Sequence, residues 1–140
     1  MTREVVQNVQ LRDESDVGVA RRHARLLARE TGLPETRAEA LATAVSELAR
    51  NCLLYAKDGE VLLGVGRTEG RICVFAVARD SGPGIADLAQ ALQDGHSTGS
   101  GLGLGLPSAK RLVDAFDIRS DVGVGTTITL EQWIPAATRA

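Results

Sequence analysis

A chain of 140 residues with 44% hydrophobic and 24% charged residues has the length and composition of one packed domain, not of a disordered segment. Its 16 basic residues stand against 18 acidic ones, a net charge of -2, which excludes the cationic surplus on which duplex nucleic-acid binding depends. No run nears the ~20 apolar residues that span a bilayer, and the first residues lack the apolar core of a secretory signal, so a cytoplasmic chain with no membrane role is expected.

Val5, Val9 and Leu11 alternate with polar residues as in a half-buried strand. A helix is predicted from Val19, with Ala20, Ala24, Leu27 and Ala28 on one face and Asp16 placed to cap it. Gly32-Leu33-Pro34 interrupts it, and a second helix is predicted over 34–55, its core stripe being Leu41, Val45, Leu48 and Cys52. Residues 60–66 and 71–79 are apolar strands flanking a hairpin signal at 67–70. Gly, Pro, Ser and Asp dominate 81–105, with a short helix candidate at 85–92. A helix follows over 105–113, then strands over 116–120 and 126–132. This order predicts an α+β two-layer sandwich, a mixed and mostly antiparallel sheet with helices on one face, as a single domain over 1–140. Cys52 and Cys73, the only cysteines, fall in a helix and a strand and read as buried thiols.

Three stretches can carry chemistry. Glu47 and Asn51 lie one turn apart on one side of the second helix, where an amide oxygen can coordinate Mg²⁺ and a carboxylate can take a proton from a hydroxyl. A solvated face with Glu47 bonded to Arg50 or Lys57 is the alternative. Asp80-Ser81-Gly82-Pro83-Gly84 follows a strong strand: a carboxylate there can accept from a base amine, and Gly82 lets a flat ring approach; a plain turn uses the same residues. Gly101, Gly103 and Gly105 alternate with Leu102 and Leu104 just before a helix, where exposed amides and the helix dipole make a phosphate cradle; a flexible loop is the competing reading. No Gly-Lys-Ser/Thr ends this run, which excludes a Walker A loop, and no tight strand-to-helix turn precedes it, which argues against a dinucleotide fingerprint.

In order, ELARN (47–51), DSGPG (80–84), STGSGLGLG (97–105) and Gly125-Thr126 resemble the motif boxes of the gyrase, Hsp90, histidine kinase and MutL ATPase superfamily (GHKL). Within it the chain looks most like the small bacterial serine/threonine switch kinases of the RsbT type, related to anti-sigma factor kinases. The resemblance runs from about residue 3 to Trp133 and implies a Bergerat ATP-binding fold. It makes Glu47 the general base, Asn51 the Mg²⁺ ligand, Asp80 the adenine-reading carboxylate and Gly82 and Gly84 the shapers of the base pocket. It also puts the 101–105 backbone on the phosphates and Thr126 on the adenine side. Ser97, Thr98 and His96 fall in the implied lid, where they could touch phosphates when it closes, with simple loop chemistry as the competing reading; His23 reads as an ordinary helix residue and Arg50, Lys110 and Arg111 as exposed helix charges, with partner docking as the second reading for Arg50. The partners implied are STAS-domain antagonist or scaffold proteins and a PP2C-type phosphatase. Two other readings remain: an anti-sigma kinase that sequesters a sigma factor, and an ATP-conditioned binding module without catalysis. Leu54 stands where anti-sigma kinases often carry lysine, which weighs against the first.

Overall fold

The computed structural model describes residues 1–56, 58–86 and 106–135, and structural statements refer to these. In chain order the elements are β1 (Thr2–Leu11), α1 (Glu14–Thr31), α2 (Glu35–Ala56), β2 (Gly59–Thr68), β3 (Arg71–Asp80), α3 (Leu106–Leu112), β4 (Ala115–Asp121) and β5 (Gly125–Trp133). The strands form one sheet in the order β1-β2-β3-β5-β4. Every described ladder is antiparallel, so the expected mixed sheet has no parallel pair among the described residues.

Alternation along the strands divides the sheet's faces. Val9, Val61, Leu63, Val74, Ala76, Ala78, Ile128 and Leu130 join the helices in one core. Alanines at 20, 24 and 28 of α1 and at 38, 44 and 49 of α2 are fully buried, and their small size lets the two helices lie close together above the sheet. On the opposite face Phe75 is buried against Gly64, where a Cβ would come within 2.5 Å of the ring, and the Arg3 guanidinium covers it at 5.1 Å from the centroid. Arg3 is held there by Glu131 at 2.6 Å.

Two expectations need correction. The first helix begins at Glu14, and its N-cap is Asp13, whose carboxylate accepts from Ser15 N–H at 2.9 Å. Asp16 is the reciprocal member of the capping box, accepting from the Asp13 and Arg12 amides. Glu14 and Asp16 lie in the first helical turn, where acidic side chains favour the dipole. The short helix proposed at 85–92 does not begin at Ile85 or Ala86, and the rest of it lies outside the described residues. The hairpin at 67–70 narrows to Glu69-Gly70, both with positive φ, as in a type I′ turn.

Gln132, fully buried on β5, was not anticipated. Its amide donates to the Arg37 and Leu112 carbonyls, both at 3.2 Å, and its oxygen accepts from Asp114 N–H at 2.9 Å. One side chain thus fastens the end of α3 and the start of α2 to the sheet. Gln132→Ala should destabilise the chain by about 2–3 kcal/mol, because buried backbone groups lose their partners. Urea unfolding measures this, and an unmoved midpoint would show that water replaces the amide freely.

Candidate functional site

The face of α2 that continues its core stripe toward the C-terminus carries Leu48, Asn51, Cys52 and Tyr55 at helical spacing. These four line a cavity of about 110 Å³ with Ala78 and Asp80 of β3, Pro83, Gly84 and Ile85 of the following loop, Leu106 of α3, and Thr126 and Ile128 of β5. Its walls are apolar and its few polar groups converge, the usual make-up of a small-molecule site. A wider, more open depression of about 490 Å³ lies on another side of Asp80. Its charged lining includes Glu60 and Arg79, which already satisfy each other at 2.6 Å, so the enclosed cavity is the stronger candidate.

Strand register brings two of the expected residues together. Asp80 and Thr126 are direct cross-strand partners at the C-terminal end of β3 and the start of β5. Asp80 Oδ1 accepts from Gly82 N–H at 2.9 Å, which fixes the carboxylate in an Asx-type turn. Thr126 is 8% exposed and contacts the Ser120 hydroxyl at 2.8 Å. Ser120 also accepts from Ile85 N–H at 2.7 Å, so β4 holds the loop as well as the threonine. The Pro83 carbonyl accepts from Gly123 N–H at 2.8 Å, tying the same loop to the β4–β5 turn.

The glycines of DSGPG have distinct reasons. A Cβ on Gly82 would meet Ala56 of α2 at 2.7 Å, so this position serves helix packing and is not part of the cavity lining, unlike its expected role beside a flat ring. Gly84 does line the cavity; it has φ +78° and its free side abuts the Asp121 carbonyl.

Asn51 lines the cavity, whereas Glu47, one turn earlier, does not. The Glu47 side chain is 34% exposed, with Oε1 3.9 Å from Arg50, and Arg50 lies 3.4 Å from Glu14 of α1. The surface pairing weighed from sequence is therefore present. Such a pair contributes little and a bound group can displace it. Ser97, Thr98, Gly101, Leu102, Gly103, Leu104 and Gly105 lie outside the described residues. No helix among the described residues is long and apolar enough to cross a membrane.

Sequence reasoning missed Ser120 and the part played by Cys52. The signal for Ser120 was its place in the alternation Phe116, Ile118, Ser120: a hydroxyl at an inward position needs a partner. Cys52 is buried beside Asp80, and burial first, then the charge and hydrogen bond of that carboxylate, push its thiol up to about 12.

A five-stranded antiparallel sheet under two long helices, with an apolar cavity between α2 and the β3–β5 edge, is the architecture of a nucleotide-binding ATPase domain. The sequence profile of the histidine kinase-like ATPase domain matches residues 10–132, and the chain belongs to that family. It is 40% identical over 126 residues to the serine/threonine-protein kinase RsbT of Bacillus subtilis (strain 168), covering 90% of this chain and 95% of that protein. The chain thus stands on the serine/threonine-kinase branch of the family.

The Cys52 thiol gives a prediction with a definite sign. Its proton is held more tightly in the folded chain than in the unfolded one, so its contribution to stability is complete below about 9 and is lost as pH rises toward about 12. Native Cys52 should resist iodoacetamide at pH 8 and react on unfolding, read by mass spectrometry. Rapid native labelling would show that the thiol is neither buried nor bonded to Asp80.

Proposed function

We propose that the chain is an ATP-dependent protein kinase that phosphorylates serine or threonine on a STAS-domain antagonist and, once released, activates a PP2C-type phosphatase in the cytoplasm. The observation that carries the nucleotide part is the convergence of Asn51, Asp80 and Thr126 on one apolar-walled cavity. The kinase part rests on the 40% identity to a serine/threonine-protein kinase over most of both chains.

The cavity suits a purine: Leu48, Ala78, Ile85, Leu106 and Ile128 offer apolar contact, and Asp80 offers an acceptor for an exocyclic amine. Asn51 suits Mg²⁺, a hard cation that takes few protein oxygens and fills its remaining positions with water and phosphate. Bound Mg²⁺ would neutralise charge on the phosphates. Asp80 fixes the base, Asn51 fixes the phosphate end, and the amides of Gly101, Gly103 and Gly105 are assigned by their sequence to the phosphates. Glu47, one turn from Asn51, accepts the proton of the attacking hydroxyl after exchanging Arg50 for the substrate. With Leu54 in place of a lysine, phosphate charge rests on the metal and the amides, and turnover is modest.

Incubated with Mg²⁺-ATP and a STAS protein encoded beside it, the purified chain should yield a phosphoprotein. Glu47→Ala should reduce labelling by about 10²-fold or more while nucleotide binding persists, since only the proton acceptor is lost. Asp80→Asn should abolish nucleotide binding itself. Undiminished labelling by the Glu47 variant would overturn the assignment of the base.

A further inference from the structure

The end of the sheet away from Asp80 carries a further concavity. Strand β3 runs for 10 residues from Arg71 to Asp80, which separates its two ends by about 30 Å. At the Arg71 end a cleft of about 340 Å³ is lined by Arg37, Arg71, Asp114, Trp133, Ile134 and Pro135. We propose that this cleft binds one carboxylate side chain of an acidic peptide segment on a partner protein. The Arg71 guanidinium lies 4.6 Å from the centroid of the Trp133 ring, a cation–π contact that holds a long side chain in one place. No carboxylate pairs with it among the described residues, so its planar fork of N–H groups is left to donate.

Charge and donor type together select the ligand class. The lining holds two guanidinium groups against one carboxylate, and that carboxylate, Asp114, already accepts from Arg37 Nη2 and from Trp133 N–H at 2.7 Å. Arg71 is therefore the surplus cation. One surplus cation matches a monoanion such as a carboxylate, whereas a phosphate dianion would ask for a second unpaired one. The backbone at this rim has little left to offer: Trp133 N–H is committed to Asp114, Ile134 N–H donates to the Ile72 carbonyl at 2.9 Å, and Pro135 has no N–H. Capture of a strand by main-chain pairing is thus excluded here, and an acceptor group must be held by side chains. Arg37 Nε–H, buried without an acceptor among the described residues, is a second unspent donor in the same lining. Trp133, Ile134 and Pro135 give the walls apolar surface, which suits an apolar residue beside the acidic one in a peptide.

Trp133 is the only tryptophan of the chain, so its emission reports on this cleft alone. Titration of the full chain with acetyl-Leu-Glu-Leu-amide, and separately with its Gln counterpart, tests the proposal. The Glu peptide should give a saturable change in the millimolar range, and the Gln peptide should bind at least about fivefold more weakly, because only the charge-assisted contact is lost. Arg71→Gln should weaken the Glu peptide by a similar factor and leave the Gln peptide unchanged, a pattern that loss of the Trp133 stack alone does not produce. Arg71→Lys, which keeps the charge and gives up the fork, should fall between the parent and Arg71→Gln. Equal binding of the two peptides, an unaltered Glu-peptide titration in Arg71→Gln, or no saturable change in the parent would each overturn the proposal. Tighter binding of inorganic phosphate than of the Glu peptide would overturn the carboxylate assignment. No nucleotide enters the titration, so its failure and the failure of the ATP reading are distinguishable.

Discussion

The antiparallel pairing of β3 with β5 is the constraint on which the rest depends. Register across this ladder puts Asp80 opposite Thr126, and side chains at paired positions point to the same face. A slip of one residue would turn both away from the helices and expose Ala78 and Ile128. The register is therefore secured by core packing: Ala76 opposite Leu130 and Ala78 opposite Ile128 are buried against the helices. The described part of the site inherits its geometry from the hydrophobic core.

Helix α2 supplies the other wall by the same economy of position. Residues Leu41, Val45, Leu48 and Cys52 form its buried stripe, and Asn51 and Tyr55 flank the end of that stripe where the sheet opens beneath it. Gly82 against Ala56 and Gly59 against Cys52 mark where sheet loops press on the last turns of this helix. A side chain at Gly82 would collide with Ala56 of the helix, and one at Gly59 would meet the Arg79 carbonyl before Cys52, although neither position lines the cavity.

Much of this was legible in the sequence because it depends on periodicity and on local turn chemistry. The apolar runs of β2 and β3, the glycine after α1 and the 3.6-residue stripe of α2 are all short-range signals. Asn51 and Asp80 were singled out from spacing and chain position, Gly84 and Thr126 came with the family resemblance, and all four line the cavity. What could not be read was tertiary partnership. Asp13 and Asp16 are both good caps by type, and only the path of the chain out of β1 decides which of them begins the helix. Gln132 sits 95 residues from the Arg37 carbonyl that it bonds, and no local pattern announces such a pairing. Gly82 illustrates a third case: its lack of a side chain was singled out from the sequence, and the neighbour the fold presses against it is the Ala56 methyl group of α2.

The electrostatics divide the site into a fixed end and an adjustable one. On the cavity side, Asp80 accepts from a backbone amide and lies beside a thiol whose proton is held tightly, with Thr126 as its cross-strand partner. The carboxylate is oriented by donors yet keeps acceptor capacity for a ligand. At Glu47 the opposite holds, because its nearest partner is Arg50, a long and 44% exposed side chain that also leans on Glu14. Exposed ion pairs of this kind contribute little and rearrange readily. A partner protein that binds over the first turn of α1 and the middle of α2 would therefore redirect Arg50 at small energetic cost and change what Glu47 faces. The Asp80 end of the cavity is thus held by backbone and cross-strand neighbours, whereas Glu47, one turn from Asn51 and outside the cavity, is held only by an exposed ion pair.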